Sequence, residues 1–340
     1  MKRWLQTALA VTLAGSISSV SALDRDSPPY QPGQSVSGIV RVWESEQMQS
    51  VTRRWQEGFH RYHPNARVVV NRQGSDTAVA GLYTGSADVA LLGRDPTASE
   101  LQAFEWIFRY KPTQLEVMTG SLDAPGKSPA LVAFVHKDNP LSKLTLAQLD
   151  AIFGHDLRRG EQGIRTWGQL GLRGKWANRP IHLYGFDAYS GSGRFFRHLV
   201  LLDSRNMNWD RVREIADRNS DGPEMGAGRR ILYSLSKDRL GIAVSNLPLG
   251  KLQVKPLALA VDVTGPFVAA TKENLVSRNY PLVRAGIALI NRASGQAVDP
   301  TVKEFLRYIL SREGQDDIVK EGNFLPLNPG NIEVQLHQLD

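Results

Sequence analysis

Tyr184-Gly185-Phe186-Asp187-Ala188-Tyr189-Ser190-Gly191-Ser192-Gly193-Arg194-Phe195-Phe196 follows the apolar run Ile181-His182-Leu183-Tyr184. It leads into an apolar-periodic stretch through Phe195, Phe196, Leu199 and Val200. The order is strand, small-residue turn, helix start. Backbone N–H groups and hydroxyls converge where the helix begins. Such a point suits an anion, because first-turn N–H groups lack intrahelical partners and the helix dipole is positive there. The same stretch also fits a tight turn of an ordinary α/β protein, so the flanking chain has to separate the two readings.

Upstream, Gly38-Ile39-Val40-Arg41-Val42-Trp43 predicts a first strand. Met48, Val51, Trp55, Phe59 and Tyr62 then hold one face of a helix that Pro64 ends. Ala66-Arg67-Val68-Val69-Val70 predicts a second strand. The turn Gly74-Ser75-Asp76-Thr77 opens a short helix through Val79, Leu82 and Tyr83, and Asp88-Val89-Ala90-Leu91-Leu92 predicts a third strand. This β-α-β-α-β alternation implies a parallel sheet flanked by helices, with ligands collecting at the carboxyl ends of the strands. Three strand exits therefore aim at one crevice: Ser45, the Ser75/Thr77 turn, and Gly93-Arg94.

Residues 119–130, rich in Gly, Ser and Pro, predict a crossing into a second lobe that begins with the strand Ala130-Leu131-Val132-Ala133-Phe134-Val135. Thr145-Leu146-Ala147-Gln148 has capping-box spacing ahead of a helix with Leu146, Leu149, Ile152 and Phe153 inward. Beyond the opening motif, residues 239–244 predict another strand. Tyr280-Pro281-Leu282-Val283-Arg284 leads into a returning strand, Ala285-Gly286-Ile287-Ala288-Leu289-Ile290. Asp299-Pro300 sets an N-cap and an N1 proline before an amphipathic helix through Val302, Phe305, Leu306, Ile309 and Leu310. A last short helix opens at Arg312 and ends near Gly322.

The 340 residues suffice for two lobes, and the composition, 41% hydrophobic and 22% charged, is that of a globular protein. Lys2 and Arg3 precede an apolar run, and small residues follow up to Val20-Ser21-Ala22, the layout of a secretory signal peptide over residues 1–22. Without cysteine there is no lipid-bearing thiol, disulfide framework or thiolate metal site. Removing the signal takes the formal charge from +7 to +5, with Lys and Arg scattered, which argues against a nucleic-acid surface and is compatible with a small anionic ligand. A periplasmic location is expected.

On these residues the chain resembles the phosphate-binding proteins of bacterial ABC uptake systems, within the periplasmic binding protein class. The resemblance rests on Asp138-Asn139-Pro140 with Leu144-Thr145-Leu146-Ala147-Gln148-Leu149 and Ile152-Phe153-Gly154, and on Tyr280-Pro281-Leu282-Val283-Arg284. It rests also on residues 302–311, Glu313-Gly314-Gln315 and Gly322-Asn323-Phe324-Leu325-Pro326-Leu327, so it runs from about residue 38 to residue 327. It implies an α/β fold of two lobes, each a mainly parallel sheet flanked by helices, with a ligand cleft between them. It further implies an oxyanion bound there, dehydrated, by N–H groups, hydroxyls, one arginine and one carboxylate. Position by position, it carries Ser45, Ser75, Thr77, Ser190, Gly191 and Ser192 over as ligand-binding residues, with Arg94 or Arg194 as the charge. Asp187 reads either as a turn-forming carboxylate, the default for Asp beside Gly or Ser, or as a ligand-binding acceptor from a protonated oxyanion. The chain departs from the family pattern at Glu44, in place of a glycine, at Phe186, in place of an arginine, and at Leu92-Gly93, in place of a Ser-Ser or Ser-Asp pair.

The expectation is a signal peptide (1–22), a loose leader (23–37), a discontinuous first lobe (38–120 and 262–335) and a second lobe (121–261). The expected function is periplasmic capture of a small oxyanion, phosphate first, for an inner-membrane ABC permease, by a monomer without cofactor or metal. The alternative is the same scaffold repurposed as a sensor or partner-binding protein, its cleft made apolar by Phe186 and Leu92. Catalysis is not expected. No Gly-x-Ser-x-Gly elbow surrounds Ser190 or Ser192, the glycines of residues 222–229 lack a Gly-Lys-Ser/Thr sequence, and His60 and His63 have no ligating neighbour in sequence.

Overall fold

The computed structural model describes residues 27–216, 226–247 and 252–340; the signal peptide lies outside them. The leader, expected to be loose, is anchored at three points: Ser27, Tyr30 and Val36 are buried and the residues between them are exposed. The Tyr30 hydroxyl donates to Glu304 Oε2 (2.8 Å) and lies 2.6 Å from His63 Nε2, strapping the leader across two helices.

The first strand, β1 (Gly38–Glu44), is followed by α1 (Gln49–Tyr62), β2 (Ala66–Arg72), α2 (Ala78–Tyr83) and β3 (Val89–Leu92). Val51, Trp55 and Phe59 recur at i, i+4 and i+8 on α1 and are fully buried, which is why this segment is a helix and which face it hides. Two elements not anticipated from sequence, α3 (Ala98–Phe108) and β4 (Thr113–Thr119), complete this part of the first lobe.

In the second lobe the chain runs through β5 (Val132–His136), β6 (Lys143–Thr145), α4 (Leu146–Phe153), β7 (His182–Phe186), α5 (Gly191–Leu199) and β8 (Val212–Ile215). It continues through α6 (Ala227–Leu235), β9 (Gly241–Ser245), β10 (Val254–Pro256), β11 (Ala258–Ala260) and α7 (Lys272–Val276). The anticipated capping box forms on α4: Thr145 Oγ1 accepts from Gln148 N, and Gln148 Oε1 accepts from Thr145 N. The returning strand β12 (Ala285–Ile290) then carries the chain back, and α8 (Pro300–Ile309), α9 (Arg312–Glu321) and α10 (Pro329–His337) close the first lobe. Asp299 caps α8 as its sequence implies, accepting from the Thr301 and Val302 N–H groups.

The first sheet has the order β2-β1-β3-β12-β4 and the second β10-β5-β9-β7-β8, and β6 pairs with β11 in a separate ribbon. In each five-stranded sheet one strand is reversed against the other four: β12 in the first and β5 in the second. These are the strands that enter each lobe from the crossing. Residues 262–284, expected in the first lobe, instead pack on the second: Val268 bridges Leu259, and Leu275, Val276, Tyr280 and Leu282 are buried in the core that contains β5, β7 and β9.

The lobes join where the two passages run side by side. Gly120 N donates to Arg284 O (2.8 Å) and Leu131 N to Leu282 O (3.2 Å). A side chain at Gly120 would strike the Ser128 and Arg284 carbonyl oxygens, so glycine lets the passages touch. The crossing loop is tied to the first lobe by Lys127, whose Nζ donates to Gln47 O and Ser50 Oγ (both 2.9 Å) and pairs with Glu321 at 3.2 Å. Among the described residues no helix is long and apolar enough to cross a membrane.

Candidate functional site

A cavity of about 460 Å³ opens between the lobes. Its walls come from segments that follow strand ends, as expected for an open α/β sheet: Gln47 after β1, Ser75 after β2, Arg94 after β3, Phe186 and the start of α5 at the end of β7, and Asn246 after β9.

On the second lobe Ser190 is the N-cap of α5. Its Oγ accepts from Gly193 N (3.0 Å) and donates to Asp187 O (2.6 Å), while Asp187 Oδ1 accepts from Tyr189 N (2.8 Å) and Ser190 N (3.1 Å). Asp187 and Ser190, expected as ligand groups, thus hold the turn, and neither lines the cavity. Their work leaves the Gly191 and Ser192 N–H groups without a protein acceptor among the described residues, and Gly191, Ser192 and Arg194 line the cavity.

On the first lobe Ser75 lines the cavity, but Thr77 does not: its hydroxyl donates back to Gln73 O (2.7 Å) and Gly74 O (3.1 Å). Ser45 lies behind the wall, with its N–H on Leu91 O (3.0 Å) and its Oγ buried without a partner. Beside it Glu44 is fully buried. One carboxylate oxygen accepts from Arg72 Nε (3.0 Å), and burial pushes the acid up from the usual range against that pairing.

Arg94 lines the cavity, yet its guanidinium is already engaged. It pairs with both Glu100 oxygens (2.8 and 2.7 Å) and with Asp76 (3.0 Å), and donates to Ser75 O (2.9 Å) and Asp95 O (3.0 Å). Burial raises the Glu100 carboxyl, but the Arg94 and Thr97 hydrogen bonds outweigh it and hold the acid below its ordinary value. Arg94 therefore does not serve as the free charge expected of it. Two carboxylates and two backbone carbonyls hold it, and it fixes the Ser75 turn against β3 and α3.

Arg194 and Arg229 also line the cavity without an ion pair among the described residues, but the buried unpaired charge is at Arg284, a residue noted in sequence only for its place before the returning strand. Only 8% of Arg284 is exposed, and it lines the cavity. Among the described residues its guanidinium forms no salt bridge, and its Nε is buried without a partner. One face stacks on the Phe195 ring, 5.2 Å from the centroid, and a side-chain carbon at Gly191 would lie 3.8 Å from Nη2. Burial lowers its pKa to about 10, with Asp95 raising it and Arg94 and Arg194 lowering it further, so it remains charged at neutral pH. Nothing local in sequence reveals this arginine as a site residue; the sheet topology brings it to α5. Of the departures noted in sequence, Phe186 forms part of the cavity wall, whereas Leu92 is buried in the first lobe behind it. Among the described residues no cluster of three or more His, Asp or Glu could hold a metal ion.

The chain matches the PBP superfamily domain over residues 30–313. It is 33% identical over 338 residues to the phosphate-binding protein PstS of Pseudomonas aeruginosa, covering 98% of each chain. It is 25% identical over 271 residues to the phosphate-binding protein PstS of Borreliella burgdorferi, covering 78% of this chain and 82% of that one. In fold it is similar to the crystal structure of PstS from Borrelia burgdorferi, with a TM-score of 0.56 at 20% identity over 86% of this chain and all of that one. An ABC-type phosphate transport receptor from Vibrio cholerae gives a TM-score of 0.52 at 20% identity, over 84% of this chain and all of that one.

Proposed function

We propose that this chain, which belongs to the PBP superfamily and to the phosphate-binding proteins within it, captures phosphate between its two lobes. The observation that carries the proposal is the start of α5. Its unpartnered Gly191 and Ser192 N–H groups line a cavity whose other wall holds Ser75, at the positive end of a helix dipole. Phosphate oxygens accept from those N–H groups and from the Ser75 and Ser192 hydroxyls, and the lobes close over the anion by rotation about residues 119–131 and 282–286. No bond is broken. The loaded protein, a monomer in the periplasm, delivers its cargo to an ABC permease.

A repurposed scaffold that no longer binds an anion is the second reading, favoured by the Phe186 wall. The unpaired, buried Arg284 speaks for an anion. A thermal-shift screen separates the two readings, because a ligand that binds only the folded state raises the melting temperature as its concentration exceeds Kd. Phosphate is expected to stabilise the protein; no shift with phosphate, sulfate, molybdate or tungstate would leave the second reading standing.

A further inference from the structure

We infer that Arg284, carried on the passage between the lobes and not by either lobe's own wall, is the counter-ion of the bound anion and the residue on which its affinity depends. This rests on the phosphate reading and names the group that makes dehydrated binding of a charged ligand possible. A buried charge without a partner is costly, and such groups are normally paired or ligand-bound. Arg94 shows the paired case in this same cleft. Arg284 shows the other: it is 8% exposed and forms no salt bridge among the described residues, its guanidinium lies over the face of Phe195, and Asp95 acts on it only as a nearby charge, without an ion pair. Stacking leaves the edge of the guanidinium free, and the edge presents the fork that matches two oxygens of a tetrahedral oxyanion. Gly191 has no side chain to keep that edge from the first turn of α5. Guanidinium and unpartnered N–H groups therefore meet at one place, and an anion there satisfies both.

The test uses the full mature protein and inorganic phosphate. Arg284→Met keeps the bulk and the contact with Phe195 but removes the charge. Without phosphate this variant is expected to melt at the wild-type temperature or above it, because the unpaired charge is gone. Its Kd for phosphate is expected to rise by about 100-fold or more, and phosphate should no longer raise its melting temperature. Arg284→Gln, which stays polar, is expected to lose the same affinity and keeps the test open if the Met variant does not fold. Wild-type affinity in either folded variant overturns the inference. So does failure of both variants to fold, which would make Arg284 a structural residue. A wild-type protein that binds no phosphate sinks the phosphate reading itself, a result distinct from either of these.

Discussion

Two arginines in one cleft differ by what lies beside them. Arg94 meets Glu100 six residues later and Asp76 in the neighbouring turn, and Arg284 meets an aromatic face. Replacing Glu100 with Gln leaves Arg94 without its main partner in a largely buried place. Urea unfolding is expected to show a loss of about 3 kcal/mol, with weaker phosphate binding because the Ser75 turn is no longer held. Unchanged stability would place the Arg94 charge outside the fold's requirements. In sequence Arg94 is conspicuous, standing after a strand and before Asp95-Pro96, but a sequence does not show where a charge is spent. Thr97 and Glu100 have the spacing of a capping box, and that pattern was the available clue that Glu100 would turn back toward the strand exit. Arg284 had no such local clue, since its neighbours in space come from a helix in the middle of the chain.

The helices that could be read are those with an apolar stripe, clear ends or both. On α4 and α8 both signals point the same way; α1 is legible from its apolar stripe alone and α9 from its ends, Ser311 and Gly322, and each forms where expected. Helix α3 hides only Phe104 and leaves Trp106 and Ile107 exposed, so its apolar residues trace no stripe. Helix α10 buries just Ile332 and Gln335. Helix α5 was legible as an anion-binding start, but the division of labour within it was not. Residues that look like ligands, Ser190 and Asp187, make the cap and turn that free Gly191 and Ser192. Ser190→Ala is therefore expected to cost about 1 kcal/mol of stability and to weaken phosphate binding by disordering the first turn, not by removing a ligand oxygen. Melting curves and titrations on the same variant check this; a large affinity loss with unchanged stability would mean that the hydroxyl contacts the anion directly.

At the scale of the molecule, the two-lobed plan follows from strand order, and the point where the chain returns follows from packing. Residue 262 is the point of return to the first lobe expected from sequence, but apolar residues beyond it, among them Leu275, Val276, Tyr280 and Leu282, bury themselves in the second. Hinge closure needs a first lobe that moves as one body, and the Lys127–Glu321 pair fastens the crossing loop to it. Burial pushes the Glu321 carboxyl up, but hydrogen bonds from Ser50 and Asn323 and the Lys127 charge prevail and hold it down to about 2. A carboxyl lowered in the folded state gives stability that is full above its ordinary value near 4.5 and is lost as pH falls toward 2. Unfolding free energies should therefore fall through that window, and Glu321→Gln should flatten the fall; an identical profile would remove Glu321 from the acid response. Lobes, crossing and site converge on a cleft that holds phosphate. Isothermal titration of the mature wild-type protein with phosphate at low ionic strength tests it most directly. Saturable heat with one phosphate per chain is the predicted result, and no heat with phosphate, sulfate, molybdate or tungstate would contradict it.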